Sequence, residues 1–203
     1  MKIICVGRNY AAHAHELGNE VPEEPVIFMK PKNALLQNHI PFFYPEFTNE
    51  LHYECELVLR VNKNGKYIDE KEAASYYSEI TVGIDFTARD IQNRLKEKGL
   101  PWEKAKAFNN SAAIGKFINV ASINNKNDIN FKFYQNSVLK QQGNSAHMIY
   151  SFDELISHIS HYFSLNIGDL IFTGTPAGVG ECVAGDMLEA LIGDELLLRM
   201  EIK

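Results

Sequence analysis

The sequence predicts a mixed α+β fold in which strands predominate. Short apolar runs recur along the whole chain, and several alternate with a period of two: Ile80, Val82, Ile84 and Phe86 fall on one face, with Thr81, Gly83 and Asp85 on the other. Stretches with helical character are few. They do not recur between strands, as a parallel α/β sheet would require. The 203 residues suit one sizeable core and are short for two full domains.

Lys2 to Val6 reads as a strand, and Gly7-Arg8-Asn9-Tyr10 turns out of it. Ala11 to Leu17 carries helix formers with Gly18 as a stop, and an acidic, proline-bearing stretch follows from Asn19 to Pro25. Val26 to Met29 is a strand ended by Lys30-Pro31. Residues 32–51 read as loop with short strands; Phe42-Phe43-Tyr44-Pro45 within them is either core cover or subunit interface. A strand from Tyr53 to Val61 leads into a hairpin-type turn at Asn62 to Lys66, and Glu70 to Ser78 reads as a helix. After the Asp85 strand, Thr87-Ala88-Arg89-Asp90 has the pattern of a helix start, and Gly99 closes that helix after Lys98. Ala113 to Ile118 is a strand, and Ile129 to Tyr134 pairs with Val138 to Gln141 around Asn136-Ser137. Ser151-Phe152-Asp153-Glu154 is a capping box for a helix burying Leu155, Ile156, Ile159 and Phe163. Gly168-Asp169, Gly185-Asp186 and Gly193-Asp194 each open a further strand.

Composition excludes several classes. With 45% hydrophobic and 23% charged residues, the chain is an ordinary globular protein. Its net charge of −6, with no basic block, argues against nucleic acid as a partner. The apolar runs are strand-sized, so no membrane span is expected, and Met1 to Gly7 is too short and strand-like for a signal peptide. Cys5, Cys55 and Cys182 are odd in number and far apart, which suits reduced thiols and a cytoplasmic protein.

The chemistry centres on Tyr53-Glu54-Cys55-Glu56-Leu57. Alternation puts Glu54 and Glu56 on one face, with Tyr53, Cys55 and Leu57 on the core side. Alone, such a pair reads as two solvated acids on an edge strand. Asp85, on the polar face of a second strand, changes that reading, and Gly83 beside it leaves room for an approaching group. Three carboxylates make an all-oxygen site for a hard divalent cation, Mg²⁺ or alternatively Mn²⁺, with positions left for water or a chelating ligand. His52 shares the carboxylate side. His13 and Glu16 are three apart on a helix and so share a face, as do Arg89 and Gln92.

Glu54-Cys55-Glu56-Leu57, Asp85-Phe86-Thr87-Ala88-Arg89-Asp90, Gly99-Leu100-Pro101-Trp102, Lys104-Ala105-Lys106-Ala107-Phe108 and the loop Thr173-Gly174-Thr175-Pro176-Ala177-Gly178-Val179-Gly180 together resemble the fumarylacetoacetate hydrolase family. The similarity runs from Gly7 to about Met200 and is nearest the short branch of acylpyruvate hydrolases and oxaloacetate decarboxylases. The resemblance implies a single catalytic domain over residues 1–203, a rolled β-sandwich or barrel with a short helical lid at about 9–25, and a homodimer. It places the metal on Glu54, Glu56 and Asp85, with His52 behind them. It makes His13 and Glu16 a water-activating pair on the lid, and sets Lys106 where negative charge develops. Arg89, Gln92, Lys30, Thr175 and Gly174 become the substrate-binding set for a small 2-oxo acid.

The expected activity is Mg²⁺-dependent C–C hydrolysis of 3-acylpyruvates such as acetylpyruvate, through a pyruvate enolate. The alternatives at the same site are oxaloacetate decarboxylation, keto–enol tautomerisation and 2-oxo acid hydration. A non-catalytic metal-binding domain is the reading from another class.

Overall fold

The computed structural model describes residues 1–16, 18, 20–36 and 41–203. Leu17, Asn19 and residues 37–40, which fall in the helix, acidic stretch and loop expected above, lie outside the described residues.

The fold is mixed α+β, mostly β, and sandwich-like; among the described residues the sheets do not close into a barrel. The largest sheet runs in the order Val26–Lys30, Ile3–Gly7, Leu170–Phe172, Cys55–Val61, Tyr77–Asp85, Ala112–Ile114, with Ile118–Asn119 also on Tyr77–Asp85. Among the described strands of this sheet, only Ile3–Gly7 and Leu170–Phe172 pair in parallel; the other strand pairs are antiparallel. A four-stranded sheet, Val138–Asn144, Asn130–Gln135, Met187–Ile192 and Glu195–Glu201, covers one face. The main core lies between them: Leu57, Leu59, Val82 and Ile84 from one sheet against Phe131, Phe133, Leu188 and Ala190 from the other. Val58, Phe172, Ile3 and Cys5 form a smaller apolar cluster on the opposite face. No helix among the described residues is long and apolar enough to cross a membrane.

Several expectations are met in detail. Asn136 and Ser137 take φ values of 53° and 64°, the doubly left-handed turn that joins Asn130–Gln135 to Val138–Asn144 without splaying them. The capping box at Ser151 and Glu154 is formed and opens the helix Phe152–Tyr162. Phe42 resolves as core, stacked on Phe86 at 4.2 Å, whereas Phe43 is exposed. All three cysteines are buried and free.

Others are corrected. The expected helix at Glu70 to Ser78 stops early: Glu70–Ala73 passes through a 3-10 turn, and Tyr77 already belongs to a strand. Ala113 to Ile118 is two short strands, because the chain at Gly115 runs against Leu197, where an added Cβ would lie 2.6 Å from its carbonyl oxygen. Thr87 does not cap a helix. It pairs with His52 in a small third sheet, and its hydroxyl donates to the Asp85 carbonyl, so the helix Arg89–Glu97 begins without a side-chain cap. Asp90 accepts instead from Thr48 Oγ1 at 2.5 Å.

Candidate active site

Two strands that bend together build the site. Cys55–Val61 and Tyr77–Asp85 pair within the large sheet, with Cys55 opposite Ile84 and Glu56 opposite Gly83. Beyond that point both chains leave it and pair again as Leu51–Tyr53 and Thr87–Ala88. Glu54 therefore sits at a bend between two strands rather than within one, and its carbonyl accepts from Asp85 N at 2.8 Å. The alternation still operates below the bend: Cys55 and Leu57 face the main core, and Glu56 faces away from it. The bend keeps Glu54 beside Glu56, so that carboxylate oxygens of Glu54, Glu56 and Asp85 all lie within 4.8 Å of one another, buried.

Three cations surround the cluster. Lys106 Nζ reaches Glu54 Oε2 at 2.7 Å and Asp85 Oδ2 at 2.8 Å. Arg89 places one guanidinium nitrogen 2.5 Å from Glu54 Oε1 and another 2.5 Å from Gln92 Oε1, and its Nε is 3.4 Å from His52 Nδ1. Lys30 Nζ lies 2.7 Å from Asp85 Oδ1. The same Nζ also lies within hydrogen-bonding reach of the carbonyls of Lys106, Phe86 and Ser111 and of Ser111 Oγ. Asp85 Oδ1 is buried, with that ion pair and no hydrogen bond.

Burial pushes the Glu54 carboxyl up, but Lys106 and Arg89 outweigh it and hold Glu54 well below the usual carboxylate range. Glu56 goes the other way: burial and the neighbouring Asp85 push it well above that range, against one hydrogen bond from Gly174 N at 2.7 Å. Burial lowers Lys106, yet Asp85 and Glu54 more than offset it and keep the ammonium charged. A buried, all-oxygen donor set with one oxygen held by an ion pair alone and one carboxyl pushed toward its protonated form fits a hard divalent cation. Glu54, Glu56 and Asp85 are the residues that could hold it.

One cavity gathers most of the expected residues: His13, Glu54, Glu56, Asp85, Arg89, Gln92, Lys106 and Thr175 line it. His13 is buried, and its Nδ1 lies 3.2 Å from Glu16 Oε2; the other Glu16 oxygen accepts from Gly178 N at 2.9 Å. The short helix is thereby tied to the glycine-rich loop across the cavity's edge. Lys30 and Gly174 stand behind the carboxylates and do not form its wall. Thr175 lines it, but its hydroxyl donates to the Cys55 carbonyl and accepts from Gln141 Nε2, both at 2.8 Å, so its one proton is already engaged. Gly83 does not open space for a ligand. An added Cβ there would meet Val58, Phe172 and the Ala113 carbonyl at 2.8 Å, so the glycine serves sheet packing.

Six residues that line the cavity carry no site role in the sequence reading: Val6, Gly7, Arg8, Phe28, Lys96 and Trp102. Phe28 and Trp102, edge to face at 5.9 Å, form an apolar wall, and Arg8 and Lys96 add two cations. Lys96 was legible in principle: it lies seven residues after Arg89, on the face shared with Gln92. Arg8 carries no periodic signal, because it sits in a turn.

The site is thus a carboxylate cluster at a bend in a β-sandwich, flanked by a lysine and an Arg–Gln pair. The chain belongs to the fumarylacetoacetate hydrolase family: the model of the fumarylacetoacetate hydrolase C-terminal region matches residues 2–202. It is 38% identical over 201 residues to mouse (Mus musculus) "Oxaloacetate tautomerase FAHD1, mitochondrial", covering 99% of this chain and 91% of that one. It is 41% identical over 189 residues to "Oxaloacetate decarboxylase, mitochondrial" of Dictyostelium discoideum, covering 93% and 87%. Among solved structures it is similar to fumarylpyruvate hydrolase from Pseudomonas aeruginosa in complex with Mn²⁺ and pyruvate, with a TM-score of 0.93, 35% identity, and coverage of 100% of this chain and 89% of that one.

Proposed function

We propose that this chain is a divalent-cation-dependent enzyme of small 2-oxo acids, with oxaloacetate as substrate and keto–enol interconversion or decarboxylation as the reaction. The observation that carries the proposal is the convergence of three buried carboxylates with Lys106, Arg89 and Gln92 in one cavity. The names of the relatives favour oxaloacetate over an acylpyruvate.

A cation held by Glu54, Glu56 and Asp85 would act as a Lewis acid toward the 2-oxo group and its neighbouring carboxylate. The chain's own residues do the rest. Gln92, its carbonyl fixed by Arg89, turns its amide N–H groups toward the substrate carboxylate. Lys106, held charged, stabilises the negative charge that develops on the 2-oxo oxygen as the enolate forms. His13, with Nδ1 on Glu16, presents Nε2 as the base that moves a proton at C3. In tautomerisation that proton leaves C3 and one is returned to the oxygen, so the product is an isomer. In decarboxylation the C3–C4 bond breaks instead, the C4 carboxylate leaves as CO2, the bond's electron pair forms the enolate, and protonation at C3 gives pyruvate. Residues about 9–25 act as the lid over a single catalytic domain, and the expected homodimer is part of the same proposal.

The second reading is hydrolysis of 3-acylpyruvates. The His13–Glu16 pair favours it, since the same dyad can activate a water for attack on the distal carbonyl. The deciding experiment follows oxaloacetate enol absorbance, pyruvate release and acetylpyruvate loss side by side, with Mg²⁺ or Mn²⁺ and with chelator. Chelator-sensitive turnover of oxaloacetate that exceeds acetylpyruvate loss is the expected result. Acetylpyruvate cleavage to pyruvate and acetate, with oxaloacetate inert, would replace this reading by the second.

A further inference from the structure

We propose that Gln141 is a positioning residue for the site. It acts as a buried strut between the bend that carries Glu54 and Glu56 and the glycine-rich loop, and through that loop it reaches the His13–Glu16 pair. This rests on the proposed reading of the cavity as a cation-dependent active site, and adds to it a residue that lies outside the cavity wall.

Gln141 lies on Val138–Asn144, at the edge of the four-stranded sheet, and is 1% exposed. The pairing with Asn130–Gln135 shifts register between Leu139 and Gln141, after which Gln141 and Gly143 are buried and Gln142 between them is exposed. The side-chain bonds of Gln141 all leave its own sheet. Oε1 accepts from Cys55 N at 2.9 Å, and Nε2 donates to Thr175 Oγ1 and to Pro176 O, both at 2.8 Å. Both amide hydrogens are spent, and the orientation is forced because Cys55 N can only donate. The bond to Cys55 N falls where the strand ladder stops. Leu170–Phe172 pairs with Cys55–Val61 only as far as Val58. Beyond that point side chains continue the pairing: Thr173 Oγ1 on Leu57 O at 2.9 Å, Thr175 Oγ1 on Cys55 O at 2.8 Å, and Gln141 on Cys55 N.

Each end of the strut meets the neighbours of functional groups. Cys55 stands between Glu54 and Glu56. Thr175 and Pro176 stand between Gly174, whose N–H donates to Glu56 Oε2 at 2.7 Å, and Gly178, whose N–H donates to Glu16 Oε1 at 2.9 Å. One short loop thus holds a carboxylate of the cluster at one end and the partner of His13 at the other. The loop rests on the same edge strand a second time. Gly178, at φ 98°, packs against the Lys140 carbonyl so closely that a Cβ would not fit. For stability alone, a buried amide gains little over an apolar side chain of the same size. What the amide adds is a fixed spacing between bend and loop, and so between the carboxylates and the His13–Glu16 pair.

The test uses the full chain and Mn²⁺ as the probe. Gln141→Met keeps the size of the side chain and removes its three bonds. It should weaken Mn²⁺ binding in calorimetry by about 10-fold, the equivalent of one hydrogen bond. At saturating Mn²⁺ its kcat for oxaloacetate should still fall by about 10- to 100-fold, the cost of a small misplacement of reacting groups, with KM little changed. Asp186→Asn, far from the cavity wall, is the control for lost stability and should leave both Mn²⁺ affinity and kcat at the wild-type level. Thr175→Val, nearly isosteric, cuts the same link and keeps the test open if Gln141→Met does not fold; it should weaken Mn²⁺ binding and lower kcat in the same sense. In the double variant the two losses should not add, because both act through one connection. A Gln141→Met protein that loses Tm as Asp186→Asn does, yet keeps wild-type Mn²⁺ affinity and kcat, would overturn the inference, as would full additivity with Thr175→Val. Weakened Mn²⁺ binding in both single variants of a protein that turns over neither oxaloacetate nor acetylpyruvate would leave the strut standing and remove the proposed reaction instead.

Discussion

Cys55 separates two of the three acids in sequence, yet its side chain belongs to the main core. That division follows from the period of two, which sends Glu56 to one face and Cys55 to the other. Cys55→Ser should therefore leave Mg²⁺ or Mn²⁺ affinity unchanged by calorimetry; a large loss would mean the register is wrong. The acids were legible for the same reason. Less legible was how their neighbours spend their hydrogen bonds. Nothing in the sequence says that Thr175 gives its proton to the Cys55 carbonyl, or that Lys30 reaches three carbonyls as well as its ion pair with Asp85 Oδ1. Those outcomes depend on side chains from residues distant in sequence, such as Gln141 and Ser111. Gly83 shows the same limit, since its missing Cβ is explained by Phe172 and Ala113 from other strands.

Elements were readable where the local signal agreed with the tertiary one. Ser151-x-x-Glu154 and Thr87-x-x-Asp90 look alike in sequence, but only the first becomes a capping box. Thr87 is taken by strand pairing with His52, and tertiary pairing overrides the local preference. The short helix with His13 and Glu16 is anchored through Gly178 N, so its position depends on one loop as well as on its own residues. Glu16→Gln should lower acetylpyruvate hydrolysis by about 100-fold or more, the usual size of an acid–base contribution, while decarboxylation falls much less. Equal loss in both assays would sink that division of roles. A second element-level device is Asp186, which accepts from Val183 N, Gln135 Nε2 at 2.6 Å and Asn136 Nδ2 at 2.7 Å, tying a turn to the neighbouring hairpin. Burial raises its carboxyl, but these donors outweigh burial and hold it below the usual range. A depressed folded-state value stabilises above the unfolded value and is lost as pH falls through the folded one. Asp186→Asn should cost about 1.5–3 kcal/mol near neutrality. The gap in Tm between wild type and variant should close as the pH is brought below the carboxylate range.

At the scale of the whole molecule, the site is a fault line in the sheet architecture. The large sheet and the small third sheet share the two chains that bend at Glu54 and Asp85, so the carboxylate cluster sits where they join. Strand dominance and the lack of βαβ alternation were readable from patterning, but the bend was not, because Tyr53 to Val61 reads as one continuous strand. The same placement ties the cluster to global stability. The cluster confines three carboxylates, one of them pushed toward protonation, inside the protein. A cation that binds only the folded chain stabilises it by mass action, about 2.7 kcal/mol at a hundredfold excess over Kd. For a chain of this length that is a rise in Tm of roughly 5–10 °C. Thermal unfolding with Mg²⁺ or Mn²⁺ against chelator should show the rise, and Glu56→Gln should abolish most of it while leaving the chelated Tm near or above that of wild type, since the amide removes a buried carboxyl that burial disfavours. If the cation raised the variant's Tm as much as the wild type's, Glu56 would not be among its ligands.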